Sequence, residues 1–305
     1  MRVFRGLPPA ADSPIALTIG NFDGVHRGHQ AMLSRLAEAA DDLALPSAVL
    51  TFDPPPREFF AKATAPARLS SIRDKLEKFA ARGVARTYVA RFDGRLASLE
   101  PEAFIEAVLV RRLGVRWVLV GEDFRFGRGR AGDLALLRKR ARTFSVEAMG
   151  TVEADGERAS SSAVRDALEK GDLARAARLL GRPFTMAGHV AHGAKLGRTL
   201  GFPTVNLPLR RRPPLAGIFA VRVHGLGAPR RGVASLGVRP TVTARGRPML
   251  EVFVFDFDES VYGRRIVVEF LHKLRDEARY PDLDALTRQI RADADAARAY
   301  FETAH

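Results

Sequence analysis

Cysteine is absent from the 305-residue chain. That excludes a disulfide framework and any thiolate metal centre, and it suits a cytoplasmic protein. Long apolar runs are missing too: none approaches the roughly 18 residues that a membrane-spanning helix needs. Met1–Pro9 lacks the apolar core of about 7–15 residues that marks a secretory signal. There is no internal repeat and no low-complexity tract. Aromatic residues make up only 8%, and the denser basic runs, Arg138–Arg142 and Arg210–Arg212, contain none. Binding of nucleic-acid strands by base stacking wants rings among the charges, so these runs read as solvated surface. What is present is the composition of a globular protein of about two domains, 46% hydrophobic and 28% charged. A net charge of +14 favours anionic partners, whether nucleic acid, nucleotides or anionic lipid, and the charge is spread along the chain.

The first 180 or so residues alternate strand-like and helix-like segments. Strands are expected at Ile15–Gly20, Ser47–Phe52, Arg86–Phe92, Trp117–Gly121 and Phe144–Met149, with a helix at Pro101–Arg112. This alternation predicts a doubly wound parallel sheet, with ligands at the carboxyl ends of its strands. Helices at Ser161–Lys170 and Asp172–Leu180 would complete this domain, with a boundary near 182. Beyond it, strand-like segments punctuated by glycine and proline predict a small β-barrel or sandwich. Asp282–Phe301 reads as a closing helix with Leu283, Leu286, Ile290 and Ala297 inward.

The connection after the first strand carries Gly20, Asp23, Gly24, His26, Gly28 and His29. The two histidines of this HxGH string fall where a strand ends and a helix begins. Free N–H groups and the helix dipole favour phosphate there. Gly28, without a side chain, lets a phosphate chain approach the backbone. Alone, such a pair reads as a cap and a solvated neighbour; the repeated glycines and Asp23 favour a nucleotide loop. Further on, Ser161 and Ser162 open a helix and Arg165 follows one turn later; alone this is an ordinary capped helix, and paired with HxGH in one α/β domain it makes a second phosphate clamp.

The second half offers Gly193, Lys195, Gly197 and Arg198, a glycine-spaced basic stretch suited to folding over phosphates. It does not fit the P-loop pattern. Thr204 and Asn206 follow in a PTxN string. If extended, the two point the same way and offer neutral oxygens to Mg2+; taken alone the string reads as a turn. Alternation puts Glu251 on the face of Phe253 and Phe255, where rings disfavour its charge and raise its basicity as a general base. An edge-strand glutamate reaching solvent is the alternative. Trp117 reads as core.

HxGH followed by SSxxxR is the pattern of the nucleotidyltransferase superfamily. Residues Thr18–Gln30, Thr51–Pro54, Gly121–Gly127 and Ser160–Arg165 closely resemble bacterial bifunctional riboflavin kinase/FMN adenylyltransferases, also called FAD synthetases. Gly232–Thr241 and Tyr262–Glu277 extend the resemblance through the second half. HxGH alone would also fit pantetheine-phosphate or nicotinate-mononucleotide adenylyltransferases, which the Gly121–Gly127 string and the second domain exclude.

The resemblance implies a nucleotidyltransferase-type, Rossmann-like domain at 1–182 that transfers AMP from ATP to FMN, giving FAD and pyrophosphate. His26 and His29 would hold the triphosphate, Arg165 would neutralise its outer oxygens, and Ser161 and Ser162 would add hydrogen bonds. Asp123 would border the flavin, unless it is a solvated loop carboxylate. Asp53 is a further flavin-side candidate that equally suits a stiffened turn. Residues 183–305 would form a small antiparallel β-barrel with a closing helix, a riboflavin kinase with Glu251 as base, Mg2+ held through Thr204, Asn206 and the phosphates, and Arg275 in the segment covering the flavin. One departure is visible: relatives often carry His where Phe253 stands, which predicts tuning beside the base. The expected partners are ATP, riboflavin, FMN and FAD, with neither nucleic acid nor membrane. A protein retaining one activity, its other domain regulatory or structural, is the alternative, and a basic nucleic-acid binder is a more distant one.

Overall fold

The computed structural model describes residues 1–192, 202–209, 211–237 and 248–303. Gly193, Lys195, Gly197 and Arg198 therefore lie outside the described residues. By packing, the chain divides into two compact units. One comprises 1–66 and 70–160, the other 67–69 and 161–305.

The first unit is built on six parallel strands: β1 (Arg2–Arg5), β2 (Ile15–Ile19), β3 (Ser47–Phe52), β4 (Arg86–Ala90), β5 (Val115–Gly121) and β6 (Ser145–Met149). Their order is β1-β4-β3-β2-β5-β6. Side-chain alternation sends Ile15, Leu17, Leu50, Val118 and Val120 to one face. Ala16, Val49, Trp117 and Leu119 go to the other, against α1 (Arg27–Asp42) through Leu33 and Leu36. Both faces are apolar because helices cover both, as parallel sheets require. Trp117 is core, as expected. The strand order reverses at β2: the chain moves outward through β3 and β4, then returns to pair β5 with β2. The carboxyl ends of β2 and β5 thus flank the switch point, the usual ligand crevice of such sheets. The 20–26 and 121–127 connections both leave from there.

In this unit the sequence reading did not foresee the edge strand β1 or the hairpin β7 (Glu153–Ala154)–β8 (Glu157–Arg158). Both are short, and β1 carries too few apolar residues for a periodic signal. The expected helix at 101–112 is present as α5 (Pro101–Phe104) continuing in a π-helix over Ile105–Arg112.

In the second unit, α7 (Ser161–Glu169) and α8 (Leu173–Leu180) precede a six-stranded antiparallel sheet. Packing thus groups the two helices with the strands that follow them, the unit beginning at Ser161. The strands are β9 (Phe184–His189), β10 (Thr204–Pro208), β11 (Gly217–His224), β12 (Arg230–Gly237), β13 (Met249–Val254) and β14 (Arg265–Arg275). Their order is β10-β13-β12-β11-β14-β9. A single bridge, Ala191 to Asn206, ties the two edges and curls the sheet toward a barrel. Phe219, Val221, Val252, Val268 and Phe270 are buried in this sheet. Ile218, Ala220, Val233 and Phe255 pack under the last helix, α9 (Leu283–Thr303), through Ala294, Ala297 and Phe301. The inward stripe of α9 thus lies in its second half. Leu283, expected inside, is 56% exposed in the first turn.

Candidate active sites

In the first unit, the loop after β2 is held in an unusual backbone path. Phe22 and Val25 have φ of 49° and 45°, with Gly24 at 82° between them. A left-handed non-glycine residue costs about 1–3 kcal/mol. Both side chains are fully buried, each burial contributing about 1.5–3 kcal/mol, which offsets that cost and fixes the loop. Asp23 braces it from the side: its Oδ1 accepts from the Ser70 N–H at 3.1 Å and the Ser70 hydroxyl at 3.2 Å, while Ser70 Oγ accepts from the Gly24 N–H at 3.0 Å. Gly20 closes against β3, its N–H donating to the Leu50 carbonyl at 3.1 Å.

His26 is the N-cap of α1, its Nδ1 accepting from the His29 N–H at 3.4 Å. The rings of His26 and His29 stack with centroids 3.7 Å apart. Gly28 sits close between them: a Cβ there would stand 3.2 Å from the His26 ring and from the Ala159 carbonyl, tighter than ordinary contact. Burial, then the neighbouring His26 and the buried ammonium of Lys75, hold His29 well below the ordinary imidazole range. His29 is therefore neutral at pH 7, and its Nδ1 is buried with no hydrogen-bond partner among the described residues. A buried orphan of this kind is costly unless a ligand meets it. Lys75 is itself anchored, donating to the Asn21 carbonyl at 2.6 Å.

The remaining candidates of this unit lie near the same rim. Asp123 follows β5 and pairs with Arg158 at 2.7 Å, both exposed, so the pair is screened and weak. Asp53 follows β3, its N–H donating to the Ala90 carbonyl at 3.0 Å. The sequence reading missed an aromatic cluster at the ends of β3 and β4, where Phe92 packs edge-on to Phe52, Phe59 and Phe60. Phe60 is 67% exposed, and its apolar surface is open to a flat ring. Two adjacent phenylalanines just after a proline turn were the available signal.

In the second unit, Ser161 and Ser162 open α7, and Arg165 turns back on its own surroundings. Its Nε donates to the Ala67 carbonyl at 2.7 Å and its Nη1 to the Ser161 carbonyl at 3.1 Å. The PTxN string is a strand, not a turn. Thr204 faces Phe253 and Asn206 faces Glu251 across β10 and β13, and Ser235 of β12 flanks Glu251 on its other side. Asn206, 6% exposed, donates through Nδ2 to the Thr204 carbonyl at 3.1 Å. Its amide oxygen is then the atom able to serve a cation. Phe253 stands edge-on to Phe202 and Phe255, so Glu251 and Thr204 lie beside an aromatic wall.

Arg275 does something the sequence reading did not foresee. It makes a bidentate pair with Asp293 of α9, at 2.7 and 2.6 Å, and Asp293 also accepts from Gln289 at 3.0 Å. Asp293 raises the Arg275 pKa further above its already high value.

Comparison with known proteins finds a family match for each half of the chain. The FAD synthetase family model matches residues 9–163 and the riboflavin kinase model residues 180–301. A bifunctional riboflavin kinase/FMN adenylyltransferase of Pseudomonas fluorescens is 50% identical, covering 92% of this chain and 91% of its own length. The protein of the same name from Escherichia coli K12 is 47% identical, over 99% and 98%. A crystal structure described as a macrolide-efflux protein of Streptococcus pneumoniae is similar with a TM-score of 0.82 at 28% identity, covering 98% of this chain and 99% of that one. That description concerns the streptococcal protein; among the described residues here, no helix is long and apolar enough to cross a membrane. The chain belongs to the bifunctional riboflavin kinase/FMN adenylyltransferase family.

Proposed function

We propose that the chain carries out two consecutive steps of flavin cofactor synthesis at separate sites. The C-terminal part of the chain phosphorylates riboflavin to FMN, and the N-terminal part joins FMN to AMP from ATP, giving FAD. We assign the first 182 residues to adenylylation and the rest to the kinase.

In the kinase step the ribityl 5′-oxygen attacks the γ-phosphorus of ATP, the bond to the bridging oxygen breaks, and ADP leaves. Glu251 takes the hydroxyl proton. Its place opposite Asn206 supports this role, because it puts the base beside the group that would meet the phosphates. Thr204 and Asn206 present neutral oxygens next to one carboxylate, a donor set that fits Mg2+ retaining waters and phosphate ligands. Bound Mg2+ would supply charge neutralisation on the triphosphate. Among the described residues there is no cluster of three or more His, Asp or Glu side chains able to hold a metal unaided, which fits an ion held largely by substrate. Gly193, Lys195, Gly197 and Arg198 are proposed to cover the phosphates, and Arg275 to act on the flavin by holding α9 in place.

In the adenylylation step an FMN phosphate oxygen attacks the α-phosphorus and pyrophosphate leaves. No protein nucleophile is required, so the work is alignment and charge stabilisation. The observation that carries the reading is the buried, neutral His29 with an unpartnered Nδ1, stacked on the His26 that caps its helix. The His26–Gly28–His29 turn would seat the triphosphate at the α1 N-terminus. Gly20, Gly24 and Asp23 shape that turn. Ser161, Ser162 and Arg165 of the second unit are proposed as phosphate ligands in their own right. Asp53, Asp123 and the Phe59–Phe60 surface would border the flavin. Use of ATP in both steps supports a cytoplasmic location.

Incubating the protein with riboflavin, ATP and Mg2+ and separating the products by chromatography tests the reading. FMN followed by FAD is expected. Accumulation of FMN without FAD, or no turnover of riboflavin, would refute it.

A further inference from the structure

The first unit holds a cavity of about 560 Å3 that belongs to neither proposed phosphate site. Its wall comes from the chain after β1, from the end of β4 with α4 (Gly94–Ala97), and from the π-helix 105–112. Four arginines line it, all of them exposed: Arg91, Arg95, Arg111 and Arg112. Asp93 is the one carboxylate in the lining, and it is committed to capping α4, accepting from the Leu96 N–H at 3.0 Å. Four positive charges against one negative leave the wall at +3.

The guanidiniums are not consumed by the fold. Arg111 approaches Glu106 only at 3.8 Å, between two exposed side chains. Arg91, Arg95 and Arg112 make no side-chain hydrogen bond or ion pair with any described residue. The π-helix contributes to the convergence, since Ala107 and Arg111, like Val108 and Arg112, lie four apart and so near one face of its wider turn. Between the charges the surface is apolar. Ala90 and Val108 are buried, and Leu7, Leu96 and Leu99 are half-buried.

Like charges held around a concave, partly apolar wall repel one another and focus a positive potential into it. A polyanion relieves that repulsion, and guanidinium forks match the oxygens of a phosphate. The volume lies within the usual range of small-ligand pockets, roughly 300–1,000 Å3. We propose that this cavity binds a small organic phosphate, its ring resting on Leu96, Leu99 and Val108 and its phosphate held among the arginines. The Phe92 side chain, between Arg91 and Asp93, packs instead into the Phe52–Phe59–Phe60 cluster, which separates this ligand from the surface offered to FMN.

The test is calorimetric titration of the full-length protein with 4-nitrophenyl phosphate, an aromatic ring bearing one phosphate. Saturable binding is expected, weakening as salt rises. Arg91→Ala/Arg111→Ala should weaken it at least tenfold. Ala107→Glu, which keeps every arginine but adds a negative charge to the wall, should do the same. His29→Ala should leave it unchanged. Circular dichroism melts of each variant establish that it is folded. Absence of saturable binding to the wild type, binding unaltered in both cavity variants, or binding lost in His29→Ala would each overturn the proposal.

Discussion

The ring of His26 stacks on that of His29 at 3.7 Å, and its Nδ1 also accepts the backbone N–H of His29. One residue thereby caps the helix, fixes the orientation of its neighbour and helps to keep that neighbour neutral. An imidazole that stays uncharged in a phosphate site acts as a hydrogen-bonding group, while the helix N-terminus and bound cations meet the charge.

The neutrality of His29 gives stability a pH dependence of definite sign. Its folded pKa lies well below the unfolded value near 6.5, so above that pH both states are deprotonated and nothing is lost. Below it the unfolded chain binds a proton that the folded chain does not, and stability falls as pH falls. The slope from this one group approaches about 1.4 kcal/mol per pH unit. Urea denaturation between pH 7 and 5 should show this limb, and His29→Gln should flatten it.

Ser70 relays between Asp23 and the Gly24 N–H. Ser70→Ala leaves that N–H and the Asp23 carboxylate each short of a partner, at a cost of about 1–3 kcal/mol. Conversion of FMN to FAD should slow and its KM for ATP should rise, while phosphorylation of riboflavin is unchanged. Steady-state kinetics of the two steps on the same preparation separates them.

Removing one partner of the Arg275–Asp293 pair should loosen α9. Asp293 is nearly buried and Arg275 only partly exposed, so Arg275→Ala is expected to cost about 2–3 kcal/mol, discounted from a fully buried pair for screening. Replacing both, as Arg275→Met/Asp293→Leu, should cost less than either single change. Chemical denaturation of the three variants measures this. Equal losses for the single and double variants would contradict a packing role for the pair.

Much of this was legible in the sequence because it rested on local chemistry. The run Ile15–Ile19 is apolar on both faces, so a buried parallel strand followed directly, and with it the place of the HxGH turn. The alternation Leu250, Val252, Val254 put Glu251 on the other face. What was hidden depended on pairing between distant residues. The PTxN string at 203–206 reads as a turn until β13 is set beside it, and Arg275 looks like a ligand contact until Asp293 arrives eighteen positions later. The positive φ of Phe22 and Val25 had no signal either, since tertiary burial, not glycine, sustains it. Phe59 and Phe60 drew no reading from the sequence and lie exposed at a rim.

Two independent sites in one chain are tested most directly by a pair of variants, each given riboflavin and, separately, FMN, with ATP and Mg2+ throughout. His29→Ala should convert riboflavin to FMN and stop there, its FAD formation lowered by about 10²–10³-fold. Glu251→Gln should lose about 10²–10⁴-fold in FMN formation yet turn supplied FMN into FAD at the wild-type rate. FAD formed by His29→Ala at the wild-type rate, or riboflavin phosphorylated by Glu251→Gln at the wild-type rate, would contradict the assignment.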